Sequence, residues 1–565
     1  MCSPTSTPFE DAVLSMHQDH LLSLHRPHRL IMLDHSLVRL FCLMTCAGTL
    51  QACQSDVLDE DPIIVIELPD ADHDTSDMSP AQEDMAPDPL DMSSEADLSD
   101  RKGDAKEDIE DMADMATDLG EEPEFVMPII ADQEVLEDLD PDPDVVEVNL
   151  RAELATIDVG NGIELDMMTY NGAVPGPLLQ AKKGDTIIVH FTNALDEPTT
   201  VHWHGLRIPD DMDGSPRIQT PVEPGQSFTY TFVVPDAGTY WYHPHVRTNE
   251  QLEKGLYGPI VIHDPEDPEV DVERVIMVDD ILLDETGIAP FFQGHMEAVH
   301  GRTGNTLLIN GSSEVPITPP AKAGLVERWR LINPSNARTF VLGVPDTSFR
   351  IIATDGGVLP TPRVAERIEM AVGQRYELEV LTGKNAPHTL TAYIPTLNAQ
   401  NEVVEGTFPL HTVTREALPI DLIQPEPRAW AGELVEDLPT TRQETYVFDG
   451  YTNAFNQLVW TINGEAHAME PISVFDQGDV VAMTLENRQG PEHPFHLHGQ
   501  FFTIVDDGFG RPQPGLRDTV LVPGRRTVKI IAYMTNPGMW MAHCHILEHA
   551  ELGMMSEIEV RPALP

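Results

Sequence analysis

The sequence predicts an all-β protein of three consecutive Greek-key β-sandwich domains, preceded by a disordered acidic N-terminal tether. Three observations predict it. From about residue 146 the chain runs in short alternating or β-branched stretches such as TIIVHF, SFTYTFVV, RIIAT and TVKIIAYM, parted by Gly, Pro and Asn turns, with helical periodicity nearly absent. A set of turn and strand-end signals recurs three times along that stretch. Ahead of it, residues 51–150 hold 34 Asp or Glu against 3 Lys or Arg.

Residues 1–53 form an upstream segment. Its apolar run LFCLMTCAGTLQA (40–52) is too short to span a bilayer, follows Arg39, and ends immediately before Cys53. It resembles a bacterial lipoprotein signal. By that resemblance Cys53 becomes a lipidated first residue, Met32 serves as the start, and the protein is exported as an outer-membrane or cell-envelope lipoprotein facing the periplasm or exterior. A plain secretory signal would export it equally. No other stretch is long and apolar enough to cross a membrane.

Residues 54–145 are expected to be the tether. Rich in Asp, Pro, Ser and Met with almost no aromatics, they bury too little surface to offset ordering entropy. The apolar islands 62–67 and 125–130 within it read as transient strands or docking segments. This segment supplies about half of the formal charge of -60, a balance that repels nucleic acid and anionic lipid.

The three sandwiches are placed at 146–266, 267–415 and 443–563, with a connector rich in Pro and acidic residues at 416–442. Each copy has an Asn-Gly turn: Asn171-Gly172, Asn310-Gly311 and Asn463-Gly464. Each then has a strand ending in asparagine, at Asn193, Asn333 and Asn487, and a Gly turn opening another strand, at Gly225, Gly373 and Gly524. One Greek-key sandwich repeated three times explains this pattern.

Chemistry concentrates in four His-x-His pairs: His202/His204, His243/His245, His496/His498 and His543/His545. Chance would supply about one such pair, and residues two apart on a strand project from the same face, so each pair can aim two imidazoles at one site. Imidazole alone does not choose among copper, iron, nickel and zinc. Cys544 does. It is the only cysteine after residue 53, so no disulfide forms within the sandwiches, and His549 and Met554 follow it in HCHILEHAELGM. One thiolate, two imidazoles and a weak thioether make a blue-copper site, with His493 of HPFHLHG available as the second imidazole. On a strand, His543 and His545 point away from the Cys544 sulfur toward the opposite face.

The motifs HWHG, HPH, HPFHLHG and HCHxxxHxxxxM, in this order, resemble the multicopper oxidase family, over about 415 residues. The resemblance implies cupredoxin-like domains and four copper ions per chain. It implies type 1 copper on His493, Cys544, His549 and axial Met554, and type 2 copper on His202 and His496. The type 3 pair falls to His204, His243 and His545, and to His245, His498 and His543. It also implies O2 as acceptor; with no methionine-rich insertion between 443 and 563, the substrate reads first as a phenol or related aromatic, and next as a metal ion such as copper(I), iron(II) or manganese(II). Catalytic roles fall on Cys544, His543 and His545 as the electron path, and on Asp213, nine residues after His204, as a proton relay. Ala550 departs from the Glu that often follows the type 1 histidine, leaving Glu548 and Glu551 nearby. Two other classes remain open: a copper-sequestering or electron-transfer protein without O2 turnover, and a protein like the copper nitrite reductases.

Overall fold

The computed structural model describes residues 125–563, apart from 322–323, 346, 382–386, 399–401, 416–425, 431, 433–437 and 469. The signal-like run, Cys53, the tether up to residue 124 and most of the connector lie outside the described residues. Each predicted sandwich is present as a pair of facing sheets around its own apolar cluster. Among the described residues no helix is long and apolar enough to cross a membrane.

The repeat signals hold the same positions in all three copies. The Asn-Gly turns have φ of 52° and 78°, 46° and 77°, and 54° and 81°, the left-handed pair that a tight type I′ turn demands. Each turn asparagine also accepts a backbone N–H from the neighbouring strand: Asn171 from Arg151, Asn310 from Met277, Asn463 from Val447. The strand-end asparagines repeat as closely. Asn193, Asn333 and Asn487 each accept the N–H two residues on and donate to the carbonyls of Glu197 and Val222, of Arg338 and Met370, and of Pro491 and Val522. Buried side-chain amides thus close the same corner three times.

The His-x-His pairs and His493 lie on or just past the strands of one sheet in each outer domain, and His549 lies on helix Leu547–Glu551. In the first, strand His202–His204 pairs antiparallel with Gly238–His243, setting His202 opposite His243. In the third, strand His493–Leu497 lies between Thr519–Val522 and Gly538–Cys544, with His496 opposite His543 and Phe495 opposite Cys544.

Two features differ from the sequence expectation. Residues 127–145, grouped there with the tether, are folded onto the sandwiches. Strand Ile130–Ala131 extends the middle domain's sheet in parallel with Val272–Ile281, and Leu136 packs on the first core, so the apolar island docks despite its acidic surroundings. Among the described residues, three short α-helices also occur, Thr248–Glu253, His295–His300 and Leu547–Glu551, each too short to impose a helical period.

The middle domain presents both apolar surface and charge to the first: Val275, Met277 and Ile332 cluster with Trp241, Leu252 and Val261, and Ile281 and Leu308 with Leu165 and Met167. Arg328 and Arg330 are buried and bridge Glu273 and Glu377, while Arg274 pairs with Glu327. Thr239 of the first domain joins this ladder by donating to Glu377 and accepting from Arg330. Removing one partner of such a buried pair costs about 3–5 kcal/mol, so the ladder holds the middle domain's own charged face in place where Thr239 of the first domain meets it.

Candidate metal centre

All ten histidines proposed as ligands, together with Cys544 and Met554, are buried. They form two groups. In the first, Cys544 Sγ lies 3.6 Å from His493 Nδ1 and 3.7 Å from His549 Nδ1, and the two nitrogens are 3.1 Å apart. These are the separations of donors that share one ion at about 2.0–2.3 Å. Burial pushes the Cys544 thiol up, so a thiolate here requires a cation against it. Met554 is tied to the same site through its backbone: its N–H donates to His549 O and its carbonyl accepts from Cys544.

The second group holds the other eight rings. His204, His243 and His545 form one three-donor set and His245, His498 and His543 another, while His202 groups with His496 and His498. Ring stacks join the outer domains: His204 on His496 at 3.8 Å between centroids and His202 on His498 at 4.0 Å. His498 Nε2 lies 3.1 Å from His543 Nε2, and His204 Nδ1 lies 3.3 Å from His545 Nε2. Strand alternation sends His543 and His545 here while the Cys544 sulfur faces the first group, as the register predicts.

Outer hydrogen bonds set each ring. The Nδ1–H groups of His202, His243, His496 and His543 donate to the carbonyls of Asp213, Pro244, Asp518 and Cys544. That leaves the Nε2 lone pairs directed inward, and those of His202, His243 and His496 have no hydrogen-bond partner among the described residues. Burial lowers the pKa of His204, His243, His245, His496, His498 and His545, and brings His543 to about 3, so these rings are neutral, the form that can bind a metal. Buried, neutral, convergent and unpartnered nitrogens fit a metal cluster, because each orphan left alone costs about 1–3 kcal/mol.

Asp213 is part of this group. Its Oδ2 accepts from His498 Nδ1 at 2.9 Å and its Oδ1 lies 3.2 Å from His202 Nδ1. Burial alone would raise its pKa, but the two imidazoles hold the carboxyl well below the usual range, so it stays ionised. Glu548 lies elsewhere, accepting from Arg302 N–H and Asn336 Nδ2 where the three domains meet, and burial pushes it up to about 8. Glu551 accepts from Thr248 N–H of the first domain. Among the histidines outside the motifs, His190 bonds Glu147 and His263 bonds Gln180.

Sequence reasoning missed Asp518 and Arg375. Asp518 Oδ1 lies 3.3 Å from His204 Nε2 and 3.5 Å from His496 Nδ1, and Arg375 of the middle domain grips both its oxygens. It also missed the cover over the first group. His549 Nε2 donates to Val299 O, the Trp460 ring lies 4.5 Å from His549 and 5.0 Å from His493, and Trp460 Nε1 donates to Ala298 O. Nothing in the sequence near residue 295 marks this role.

Family models described as multicopper oxidase match residues 152–267, 286–411 and 438–563. The chain is 32% identical over 468 residues to the multicopper oxidase MmcO of Mycobacterium tuberculosis, covering 73% of this chain and 87% of that one. It is 27% identical over 493 residues to laccase-1 of Cryptococcus neoformans, covering 71% and 78%. A solved multicopper oxidase of Campylobacter jejuni, described as a metallo-oxidase, superposes with a TM-score of 0.66 at 26% identity, over 78% of this chain and 96% of that one. With matches in all three sandwiches, the chain belongs to the multicopper oxidase family of oxidoreductases, which use O2 and an oxidisable substrate.

Proposed function

We propose that this oxidoreductase would hold four coppers: type 1 on His493, Cys544, His549 and Met554, type 2 on His202 and His496, and a type 3 pair on His204, His243 and His545 and on His245, His498 and His543. Bound there, copper supplies one-electron oxidation of the substrate at the thiolate site and the four-electron, four-proton reduction of O2 to two waters at the cluster. The observation that supports this most is the register around Cys544. Its sulfur sits in one donor set while its two chain neighbours sit in the other two, so a few bonds of backbone join electron entry to the cluster.

The protein's own groups perform the rest. Carbonyl acceptors fix the tautomers of four rings, so no reorganisation is needed as charge changes. Asp213, ionised and bonded to two of the rings, is the acidic group best placed to pass protons inward. Burial of every ligand excludes bulk water from the reacting volume.

The substrate is a phenol or related aromatic, or a metal ion. The cover at residues 295–300 bears on the choice, because with Val299 O capping His549 no donor touches a ligand ring directly. Small donors, including copper(I), iron(II) or manganese(II), reach such an edge more readily than bulky phenols, and the metallo-oxidase relative favours the same reading. Export with a lipid on Cys53 remains part of the proposal. Cys53→Ser releasing the enzyme from membranes tests it.

Copper-loaded protein should be blue, show the near-ultraviolet band of a coupled copper pair, and consume O2 with phenols, copper(I), iron(II) or manganese(II). A single copper per chain, or O2 turnover that survives Cys544→Ser, overturns the proposal. Blue colour without O2 uptake returns the electron-carrier reading.

A further inference from the structure

The middle domain has no His-x-His pair, yet its turn at residues 373–375 reaches the eight-histidine group. A Cβ on Gly373, whose φ is +84°, would lie 3.0 Å from the His545 ring and 3.1 Å from the His204 ring, so the bare backbone packs against both. Gln374 Nε2 donates to Thr519 O, on the strand that also borders His496.

Arg375, fully buried, uses all five of its N–H donors. Nε donates to Thr239 O of the first domain, and Nη1 and Nη2 donate to Gly373 O and Asp355 O of its own. The remaining two form a fork on Asp518 of the third domain, at 2.7 and 2.6 Å. One side chain thereby ties three domains together at one carboxylate. That carboxylate faces His204 Nε2 and His496 Nδ1, and its Oδ1 also accepts from Thr519 Oγ1.

His204 is set differently from its neighbours. His202, His243, His496 and His543 turn Nδ1 outward to a carbonyl, whereas His204 turns Nε2 outward to Asp518 and Nδ1 inward toward His545 Nε2. A carboxylate outside Nε2 keeps the proton there and leaves the Nδ1 lone pair free for a metal. Resting on the ligand assignment above, we propose that Arg375 is a positioning residue. It holds Asp518 so that His204 presents Nδ1 and His496 presents Nε2 to the coppers, making the 373–375 turn a third wall of the cluster.

The test compares the wild-type full-length protein with Arg375→Lys, which keeps the charge but loses the fork, and with the isosteric Asp518→Asn. Copper per chain, the blue absorption, the type 2 electron paramagnetic resonance signal and the near-ultraviolet band are recorded on each. The expected result is retained blue colour, loss or broadening of the type 2 and coupled-pair signatures, and a fall of about 10–100-fold in chelator-competed cluster copper affinity. Full copper with unaltered signatures in both variants overturns the inference. So does loss of the blue site together with the cluster in both, which would mean a purely structural ion pair. Wild-type protein with one copper per chain would instead defeat the ligand assignment, so the two failures are distinguishable.

Discussion

Replacing Asp213 with Asn should separate positioning from proton delivery, because the side chain makes two unequal contacts. His202 keeps an anchor in the mutant, since its Nδ1–H also donates to the Asp213 backbone carbonyl at 2.8 Å. His498 has no such second anchor: its Nδ1 partner is Asp213 Oδ2, and an amide in that place can turn a donor toward the ring's own N–H. Losing one charge-assisted hydrogen bond costs about 1.5–3 kcal/mol, or roughly 10- to 150-fold in an equilibrium constant. The copper assigned to His245, His498 and His543 should therefore be retained about 10- to 100-fold less tightly, while the blue site is unaffected. Metal analysis and the near-ultraviolet band read the first effect, and O2 uptake normalised to fully loaded enzyme reads the second. Full loading with slow turnover assigns Asp213 to proton relay. Full loading with turnover within about twofold of wild type would refute both roles.

Other substitutions probe the surrounding structure. Gly205 follows His204 with φ +92°, and a Cβ there would run into Arg375 and Asp518, so Gly205→Ala should lose cluster copper while staying blue, as metal analysis and absorption would show. Trp460→Ala removes the hydrogen bond to Ala298 O and opens the cover, so kcat/KM for bulky phenols should rise several-fold while that for metal ions changes little, measured with phenols of increasing size. His411, buried with neither ring nitrogen hydrogen-bonded among the described residues, has its pKa lowered to about 4 by burial and by Arg274. The unfolded chain binds that proton first, so stability falls as pH drops from about 6.5 to 4, by up to about 3 kcal/mol. His411→Leu should flatten that part of the profile of Tm against pH, and an unchanged slope would count against it.

What could be foreseen followed from local geometry. Asn-Gly turns need two left-handed residues, and a ligand pair on a strand needs spacing of two, so both leave marks in a few adjacent residues. The buried ion-pair ladder of the middle domain left none. VERVIMVDD, VERWRLI and RYELEV alternate charged with apolar residues as a solvent-facing sheet would, yet Glu273, Arg328, Arg330 and Glu377 are buried, and their partners lie tens of residues away. Arg375 belongs to the same class of residue. In sequence it is one more charge at the start of a strand, and its importance arises only where Asp518 and Thr239 meet it. Residues 127–145 were hidden by composition, since their acidic neighbours outnumber the few apolar groups that dock.

The absence of ligands from the middle sandwich does not make it a spacer. It supplies the Val299 carbonyl to the His549 ring, and Asn336 holds the backbone just before that ring by accepting Leu547 N–H and donating to Glu548. At the other group it supplies Gly373 and Arg375. Both donor sets lie at the edges of the third domain, where a strand end or a short helix would otherwise be free to fray. Each is closed by a segment of the second. The ion-pair ladder orders the second domain's face that bonds Thr239 of the first, and Arg375 bonds the Thr239 carbonyl, so a shift there would move the 373–375 turn, and with it Asp518. Weakening the ladder far from any ligand, for example with Glu377→Gln, should therefore lower cluster copper before it bleaches the blue site. Loss in the opposite order would show that the middle domain supports the cluster no more than it supports electron entry.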